Sequence, residues 1–326
     1  MIKASLVMPA FKRVGQTLKS LSLIMNSQGF AKDYVVEIIV ADSTPDNSLE
    51  TALRNKFGNK IIYTRPDKPG VATNKNKGAK ISSNPILIFC DSDMELEKYT
   101  LLKTFAAFKK YPTAAGLGGQ VIWRNGSLDG QTDRPREEDR RQDVGETTYT
   151  EVLYSRYFAT FKKVFWDVGG YDEEVFNMRG EGSDLSVRYW RGGFPLVYEA
   201  EIIVYHVHNS PDSVALRVAH PEWGIAKDLL LLAYKYDMLD GDYPNFQNTV
   251  NANFAKLGKD GHYRLLQGVG QHLDFILAAK PKIDQQKKQM KTNYAFKFLE
   301  IFSNNELFNN CIKDARAKLE FTRDLF

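Results

Sequence analysis

The 326 residues, 43% hydrophobic and 26% charged, suffice for one large core or a core domain with an appendage, and the formal charge of +4 lacks the concentrated basic face of a nucleic-acid binder. Ten Lys/Arg against six Asp/Glu from residue 280 onward account for that whole excess, so the bias is local. The two cysteines, Cys90 and Cys311, offer neither a disulfide framework nor a zinc spacing, no apolar run approaches ~18 residues, and no leader-like segment precedes the first strand-like run; a cytoplasmic setting is expected.

Through the first half, short apolar runs alternate with helical patterns. "ASLVMP" is followed by a helical stretch over 16–28, "VVEIIVAD" by one over 48–57, "KIIYTR" by one over 72–81, and "PILIFCD" by one over 101–109, after which comes "AAGLGGQVIW". This rhythm predicts βαβ units and an α/β fold with a mostly parallel sheet flanked by helices. Ligands of such sheets sit at the carboxyl ends of the strands. Two carboxylates, Asp91 and Asp93, stand at such an end, directly after five apolar residues. Their spacing suits a turn, and it equally suits oxygen ligation of a hard divalent cation whose remaining positions are filled by phosphates.

From Arg124 to Thr148 the periodicity stops. Five Arg and seven Asp/Glu nearly cancel there, and the stretch reads as a solvated flexible loop or as a lid over substrate. Order resumes at Tyr149, a helix is predicted to open near Asp184, and "LVYEAEIIVYH" reads as a strand. Beyond about residue 210 the apolar periods are helical. The expected division is therefore 1–210 (nucleotide-sugar binding over 1–123, flexible loop over 124–148, acceptor and catalytic part over 149–210) and a helical region over 211–326.

Several segments fall in a fixed order: "VMPAFKR", "IIVADSTPDNS", "GVATNKNKG", the DSD strand, "GGYDEE", "RGEGSDLSVR" and "VYHVH". In that order they resemble the family 2 glycosyltransferases of the GT-A fold, over roughly residues 3–210. The resemblance implies a metal-dependent, inverting transfer of a sugar from a nucleoside-diphosphate donor, with UDP the expected nucleotide, to a saccharide or lipid-linked saccharide acceptor, in surface polysaccharide synthesis. It implies that Pro9, Ala10 and Phe11 turn against the nucleobase and ribose, that Asp42 hydrogen-bonds base or ribose, and that Lys75, where the family usually has arginine, touches the diphosphate. Asn76 and Gly78 match its Asn-x-Gly. Asp91 and Ser92 are placed at the ribose and metal shell, Asp93 on the Mn²⁺ or Mg²⁺ ion, and His206 as a third metal ligand with His208 as the alternative.

The family's Glu-Asp-x-Asp-Leu reads Glu181-Gly182-Ser183-Asp184-Leu185, so one acid is missing. Glu181 and Asp184 remain as candidates for the general base, Glu181 preferred as the residue expected ahead of the helix on a glycine-flanked loop. Both also fit plain stabilisation of a helix N-terminus. Trp123, Tyr154, Tyr157, Phe158 and Trp166 flank the acceptor side, although most aromatics in such runs belong to the core. Lys287, Lys288 and Lys291 with Tyr294, Phe296, Phe298 and Phe302 suggest a packed amphipathic helix or, alternatively, peripheral docking on an anionic membrane. Two other enzyme classes lack their signatures: "MPAFKRVG" offers neither the glycine-rich, Arg-containing loop of a nucleotidyltransferase nor the GxGxxG of a nicotinamide oxidoreductase. A degenerate domain that only binds nucleotide or glycan stays open because of Gly182.

Overall fold

The computed structural model describes residues 2–27, 34–123, 141–153, 155–207, 221–236, 270, 272–289 and 305–325. Among these, ten strands form one sheet in the order β3-β2-β1-β4-β9-β6-β10-β8-β7, with β5 (Met94–Leu96) paired to β10 off that path. The strands β1 (Ile2–Ala10), β2 (Tyr34–Asp42), β3 (Ile62–Thr64) and β4 (Ile86–Cys90) run parallel, as the alternating pattern predicts. Beyond β4 the sheet is mixed. β9 (Tyr157–Phe161) lies antiparallel between β4 and β6 (Gly116–Trp123), and β6 then pairs in parallel with β10 (Leu196–His206).

Helices α1 (Val14–Met25), α2 (Ser48–Phe57), α3 (Val71–Ile81) and α4 (Thr100–Lys110) connect the strands. The chain steps outward from β1 to β2 and β3, then returns through α3 to β4 on the other side of β1. This reversal of strand order opens a crevice at the carboxyl ends of β1 and β4, and the tips of β1, β2 and β4 carry Ala10, Asp42 and Cys90-Asp91. All five residues of β4 are buried, which is why its sequence is apolar without alternation.

Close packing of α3 on β1 explains Gly78. A Cβ there would lie 2.3 Å from Cγ1 of the fully buried Val7. Gly78→Ala is expected to lose more through overpacking, about 1–3 kcal/mol, than the ~1 kcal/mol gained in helix propensity. Urea unfolding should show a net loss of stability.

Two expectations change. Part of the stretch read as a flexible loop is a hairpin, β7 (Arg141–Val144) with β8 (Thr147–Thr150), turning at Gly145 with φ 61°. Its cross-strand pairs come from residues individually poor in strand signal, such as Asp143 opposite Thr148. Residues 124–140 lie outside the described residues, as do Tyr154, His208 and the tail from 290 to 304 with Lys291, Tyr294, Phe296, Phe298 and Phe302.

The described C-terminal helices are also not separate from the sheet domain. After α5 (Lys162–Asp167) and α6 (Glu181–Arg191), the helices α7 (Pro221–Lys235), α8 (Leu273–Gln289) and α9 (Asn305–Lys318) pack back on the sheet domain. Phe308 and Cys311 of α9 are fully buried in the main core, with the Phe308 ring 5.4 Å from Tyr149 and 6.0 Å from Trp190. Leu231, Leu232 and Tyr236 at the end of α7 share a second core with Val152, Val175, Phe176 and Val187. A cut at residue 210 would expose both clusters.

Candidate active site

The turn after β1 is held from two sides. The Ala10 carbonyl accepts hydrogen bonds from Ser43 N (3.0 Å) and Asn74 Nδ2 (3.3 Å), and Lys12 N donates to Thr44 Oγ1 (2.8 Å). Lys12 takes a left-handed φ of 63°, and the preceding Phe11 ring is exposed. Pro9 and Ala10 themselves are buried.

Asp42 differs from expectation. It is fully buried; one oxygen accepts from Thr44 N (2.7 Å) and Thr44 Oγ1, the other from the Tyr63 hydroxyl (2.9 Å). Burial and the Asp42 carboxylate push the Tyr63 phenol up to about 12, against the opposing pull of Arg65. Asp42 therefore braces the strand end instead of offering an acid to a base or ribose. Ser92 is also enclosed, its carbonyl accepting from Ser20 Oγ of α1 (3.1 Å).

The DSD turn places its two acids in different company. The Asp93 carboxylate meets the Arg13 guanidinium, and His206 Nε2 lies 3.4 Å from the same oxygen. Their convergence is built by pairing: β10 ends opposite β5, with His206 across from Met94, and Val207 N donates to the Asp93 carbonyl (2.9 Å). Burial alone would raise the Asp93 carboxyl, but the His206 hydrogen bond and charge together with Arg13 outweigh it and hold it well below the usual range. Asp91 moves the other way. Burial pushes it up, Lys75 pulls against that, and the Asp93 charge adds to it.

Lys75 does not face the crevice. Its ammonium is fully buried, 3.0 Å from Asp91 Oδ1 and 3.6 Å from Glu181 Oε1, and it donates to the Ser155 carbonyl (2.8 Å). A flexible stem with a compact charge fits this enclosed, three-sided seat better than a planar fork. The diphosphate contact expected of Lys75 is thus replaced by a bridge between the strand-tip acid and the acid of the EGSD motif.

Glu181 is the first residue of α6, three positions earlier than the helix start read from the sequence. Gly180 before it holds a left-handed φ of 77°, and a Cβ there would lie 2.9 Å from the Phe176 ring, so this turn requires glycine. The Glu181 carboxylate accepts from Ser155 Oγ and faces Lys75. The missing acid has a steric counterpart: a Cβ at Gly182 would stand 3.0 Å from Ser155 N and 3.3 Å from the Leu153 carbonyl, pressing on the segment that seats both Glu181 and Lys75.

Asp184 is excluded as a free base. It has no exposed surface, receives Arg188 Nε (2.9 Å) and Nη2 (2.6 Å) on one oxygen, and pairs with Lys235 Nζ (2.7 Å) and the Tyr236 hydroxyl (2.7 Å) on the other. Lys235 also reaches Asp172 Oδ2 at 2.9 Å. Of the acceptor-side aromatics, Tyr157 and Phe158 are core residues, while Trp166 is 38% exposed.

Sequence reasoning missed one residue of the frame, Asn177, and gave Asn76 no structural partner. Asn177 caps α3 from the far side of the chain: its Oδ1 accepts from Thr73 N (3.1 Å) and Thr73 Oγ1 (2.7 Å), its carbonyl from Ala72 N (3.0 Å). Asn76 then clamps the same loop, exchanging hydrogen bonds with Tyr171 N (2.9 Å) and the Tyr171 carbonyl (2.8 Å). Asn177 answers the lack of a capping side chain at Gly70, the N-cap of α3, and that glycine was the available signal in the sequence.

The residues also pass a chemical test for a divalent ion. Asp91 Oδ1 is enclosed without an aligned hydrogen-bond donor, since Lys75 approaches off axis. Two carboxylates and an imidazole make an O, O, N donor set appropriate to Mn²⁺. Among the described residues no three His, Cys, Asp or Glu groups already form a tight cluster, and Arg13 sits on Asp93.

Such a sheet, with its crevice at the β1–β4 switch point, has the architecture of the GT-A fold. The chain belongs to the glycosyl transferase family 2, whose family model matches residues 5–169. It is 26% identical over 200 residues to mouse polypeptide N-acetylgalactosaminyltransferase 3, covering 53% of this chain and 31% of that protein, so it spans about a third of this curated relative. Among solved structures it resembles the mannosyltransferase PcManGT from Pyrobaculum calidifontis in complex with GDP-Man and Mn²⁺ (TM-score 0.54, 13% identity, 98% of this chain and 87% of that one). GalNAc-T7 with UDP, GalNAc and Mn²⁺ (TM-score 0.51, 17% identity, 78% and 54%) and S. aureus TarS 1–349 (TM-score 0.51, 14% identity, 98% and 91%) share the fold as well.

Proposed function

We propose that the protein is a metal-dependent, inverting glycosyltransferase that moves a hexose from a nucleoside-diphosphate donor, UDP-linked by preference, to a glycan or lipid-linked glycan in surface polysaccharide synthesis. One observation carries the reading: through Lys75, the acid at the β4 tip and the acid at the α6 start belong to one buried network. Donor and acceptor chemistry thereby meet at a single place. That relatives of the same fold are described with Mn²⁺ and with GDP-Man or UDP supports the cofactor and donor class.

Asp91, Asp93 and His206 would hold the ion, Mn²⁺ in preference to Mg²⁺. When bound, it supplies neutralisation of the charge that grows on the departing diphosphate. At the turn after β1, Phe11, exposed beyond buried Pro9 and Ala10, gives the nucleotide an apolar wall. Glu181 takes the proton of the acceptor hydroxyl as its oxygen attacks the anomeric carbon, while the bond to phosphate breaks and its electron pair leaves with the diphosphate. Ser155 and Lys75 fix the orientation of the carboxylate for that transfer. Peripheral membrane docking is left out of the proposal: Lys287, one of the lysines that suggested it, donates to the Tyr234 carbonyl (3.0 Å).

The test is thermal unfolding with UDP, with Mn²⁺ and with both. Together they should raise the midpoint by several degrees more than the sum of their separate effects, because only the complex binds tightly to the folded chain. Asp93→Ala should abolish that cooperativity. No shift with any nucleoside diphosphate would remove the proposal.

A further inference from the structure

Each acid of the DSD turn carries a cation of this chain, and the two cations are held very differently. Lys75, on Asp91, is fully buried and bound on three sides, by Asp91, Glu181 and the Ser155 carbonyl. Arg13, on Asp93, has a side chain 20% exposed, and among the described residues Asp93 is the only partner that its guanidinium meets. Its backbone is fixed. Arg13 N donates to the Phe11 carbonyl (2.9 Å), and its own carbonyl accepts from Thr17 N (2.9 Å) and Thr17 Oγ1 (2.8 Å) in the first turn of α1. The guanidinium is thus a charge on a long flexible stem, anchored two residues after Phe11 and latched by a single acid.

The place of that latch matters. Arg13 Nη1 meets Asp93 Oδ2, the same oxygen that His206 Nε2 approaches to 3.4 Å. A guanidinium and a divalent ion on one carboxylate oxygen repel each other at contact distance, so an ion held by Asp93 and His206 requires the guanidinium to leave. The crevice also has a use for the cation so released. Lys75, which motif position assigns to the diphosphate, is committed to Glu181 and Ser155, so the diphosphate needs a positive partner from another element. The planar fork of an arginine suits such an anion, which it can grip with two parallel hydrogen bonds.

We propose that Arg13 is an exchangeable counter-ion of the donor site: its guanidinium covers Asp93 and passes to the diphosphate when a divalent ion takes its place. The turn after β1 thereby contributes a charge to donor binding as well as the apolar wall of Phe11. An ion arriving alone displaces the guanidinium with nothing to receive it, and a diphosphate arriving alone draws it off an uncompensated Asp93. Each ligand removes the cost that the other meets alone, which is a reciprocal coupling between them. The inference rests on the reading of Asp91, Asp93 and His206 as ion ligands, and the experiment distinguishes the failure of one from the failure of the other.

Mn²⁺ without nucleotide is the first probe, its binding to the full chain read from the electron paramagnetic resonance of the free ion. Arg13→Gln should tighten that binding by about fivefold or more, because the competing cation is gone, and should weaken UDP at saturating Mn²⁺ by about fivefold or more, because the diphosphate loses its fork. Calorimetric titration reads the second effect. A merely structural arginine would weaken both or neither. Arg13→Lys keeps a cation and should leave Mn²⁺ binding within about twofold of the parent chain. Lys12→Gln removes the same charge one residue away, from an ammonium that lies over the Phe11 ring, and should likewise change Mn²⁺ affinity by less than about twofold. Arg13→Met, which keeps the apolar stem, takes the place of Arg13→Gln should that variant not fold. Equal tightening by Lys12→Gln and Arg13→Gln would reduce the effect to the general field of the turn and overturn the proposal. Unchanged or weaker Mn²⁺ binding in Arg13→Gln, or UDP binding at saturating Mn²⁺ that ignores the substitution, would overturn it as well, and equal Mn²⁺ binding by both chains would leave the ion ligands standing. If neither chain binds Mn²⁺, the ion ligands themselves are wrong and the exchange falls with them.

Discussion

Glu181→Gln is expected to lower kcat by about 10²–10⁴-fold while the affinity for UDP with Mn²⁺ stays within about twofold. Gln has the size of Glu and can still accept from Ser155 Oγ, so the segment around residue 155 keeps its seat. What disappears is the carboxylate proposed to take the acceptor proton. The loss should therefore fall on the chemical step, with kcat and kcat/KM reduced alike. Release of UDP from a panel of nucleotide sugars measures the rate, and calorimetric titration of UDP measures binding. If the variant turns over normally, the base lies elsewhere. Asp184 is a poor substitute for that role, since Arg188, Lys235 and Tyr236 already occupy its oxygens.

The local order of the site was legible because strand tips announce themselves. An apolar run ending in Asp91 and Asp93, or in Asp42, is a statement about neighbours in sequence. The partners of those acids are not. Asp93 finds Arg13 and His206 only because β1, β5 and β10 are brought together by the sheet, and β5 itself, three residues long, has no pattern of its own. Lys75 could be aligned with a diphosphate-binding arginine from motif position, yet its direction is set by a pocket formed by Ser155 and Glu181, 80 and more residues away. The acid of Asp42 was legible and its role was not, because Thr44 and Tyr63 consume it. The C-terminal helices were legible as helices, but their attachment to α6 depends on single polar residues such as Lys235, whose helical patterning resembles that of any amphipathic surface.

Asp184→Ala is expected to cost about 3–5 kcal/mol, the second large effect, and it should appear as lost stability before it appears as lost chemistry. The substitution leaves Arg188 and Lys235 enclosed with less countercharge, Lys235 keeping Asp172 alone. Because Lys235 and Tyr236 at the end of α7 are fastened through this carboxylate, the helix should loosen from α6, and protease nicking near residue 236 should accompany the drop in urea midpoint. The pH dependence has a definite sign. Burial would raise the Asp184 carboxyl, but Arg188 and Lys235 outweigh it and hold it at about 2, below the ordinary 3.8. Its contribution is thus fully present above pH 3.8 and is lost as pH falls toward 2, a span worth about 2 kcal/mol. Asp228 of α7 acts oppositely: burial holds its folded value up at about 6, making stability fall as pH rises from 3.8 to 6. In Asp184→Ala the first slope should vanish and the second remain. A combined replacement of Asp184, Arg188 and Lys235 by apolar residues of similar volume should recover much of the loss, since the penalty lies in stranded charge and not in the absence of an ion pair. If it recovers nothing, the network does more than hold α7 to α6.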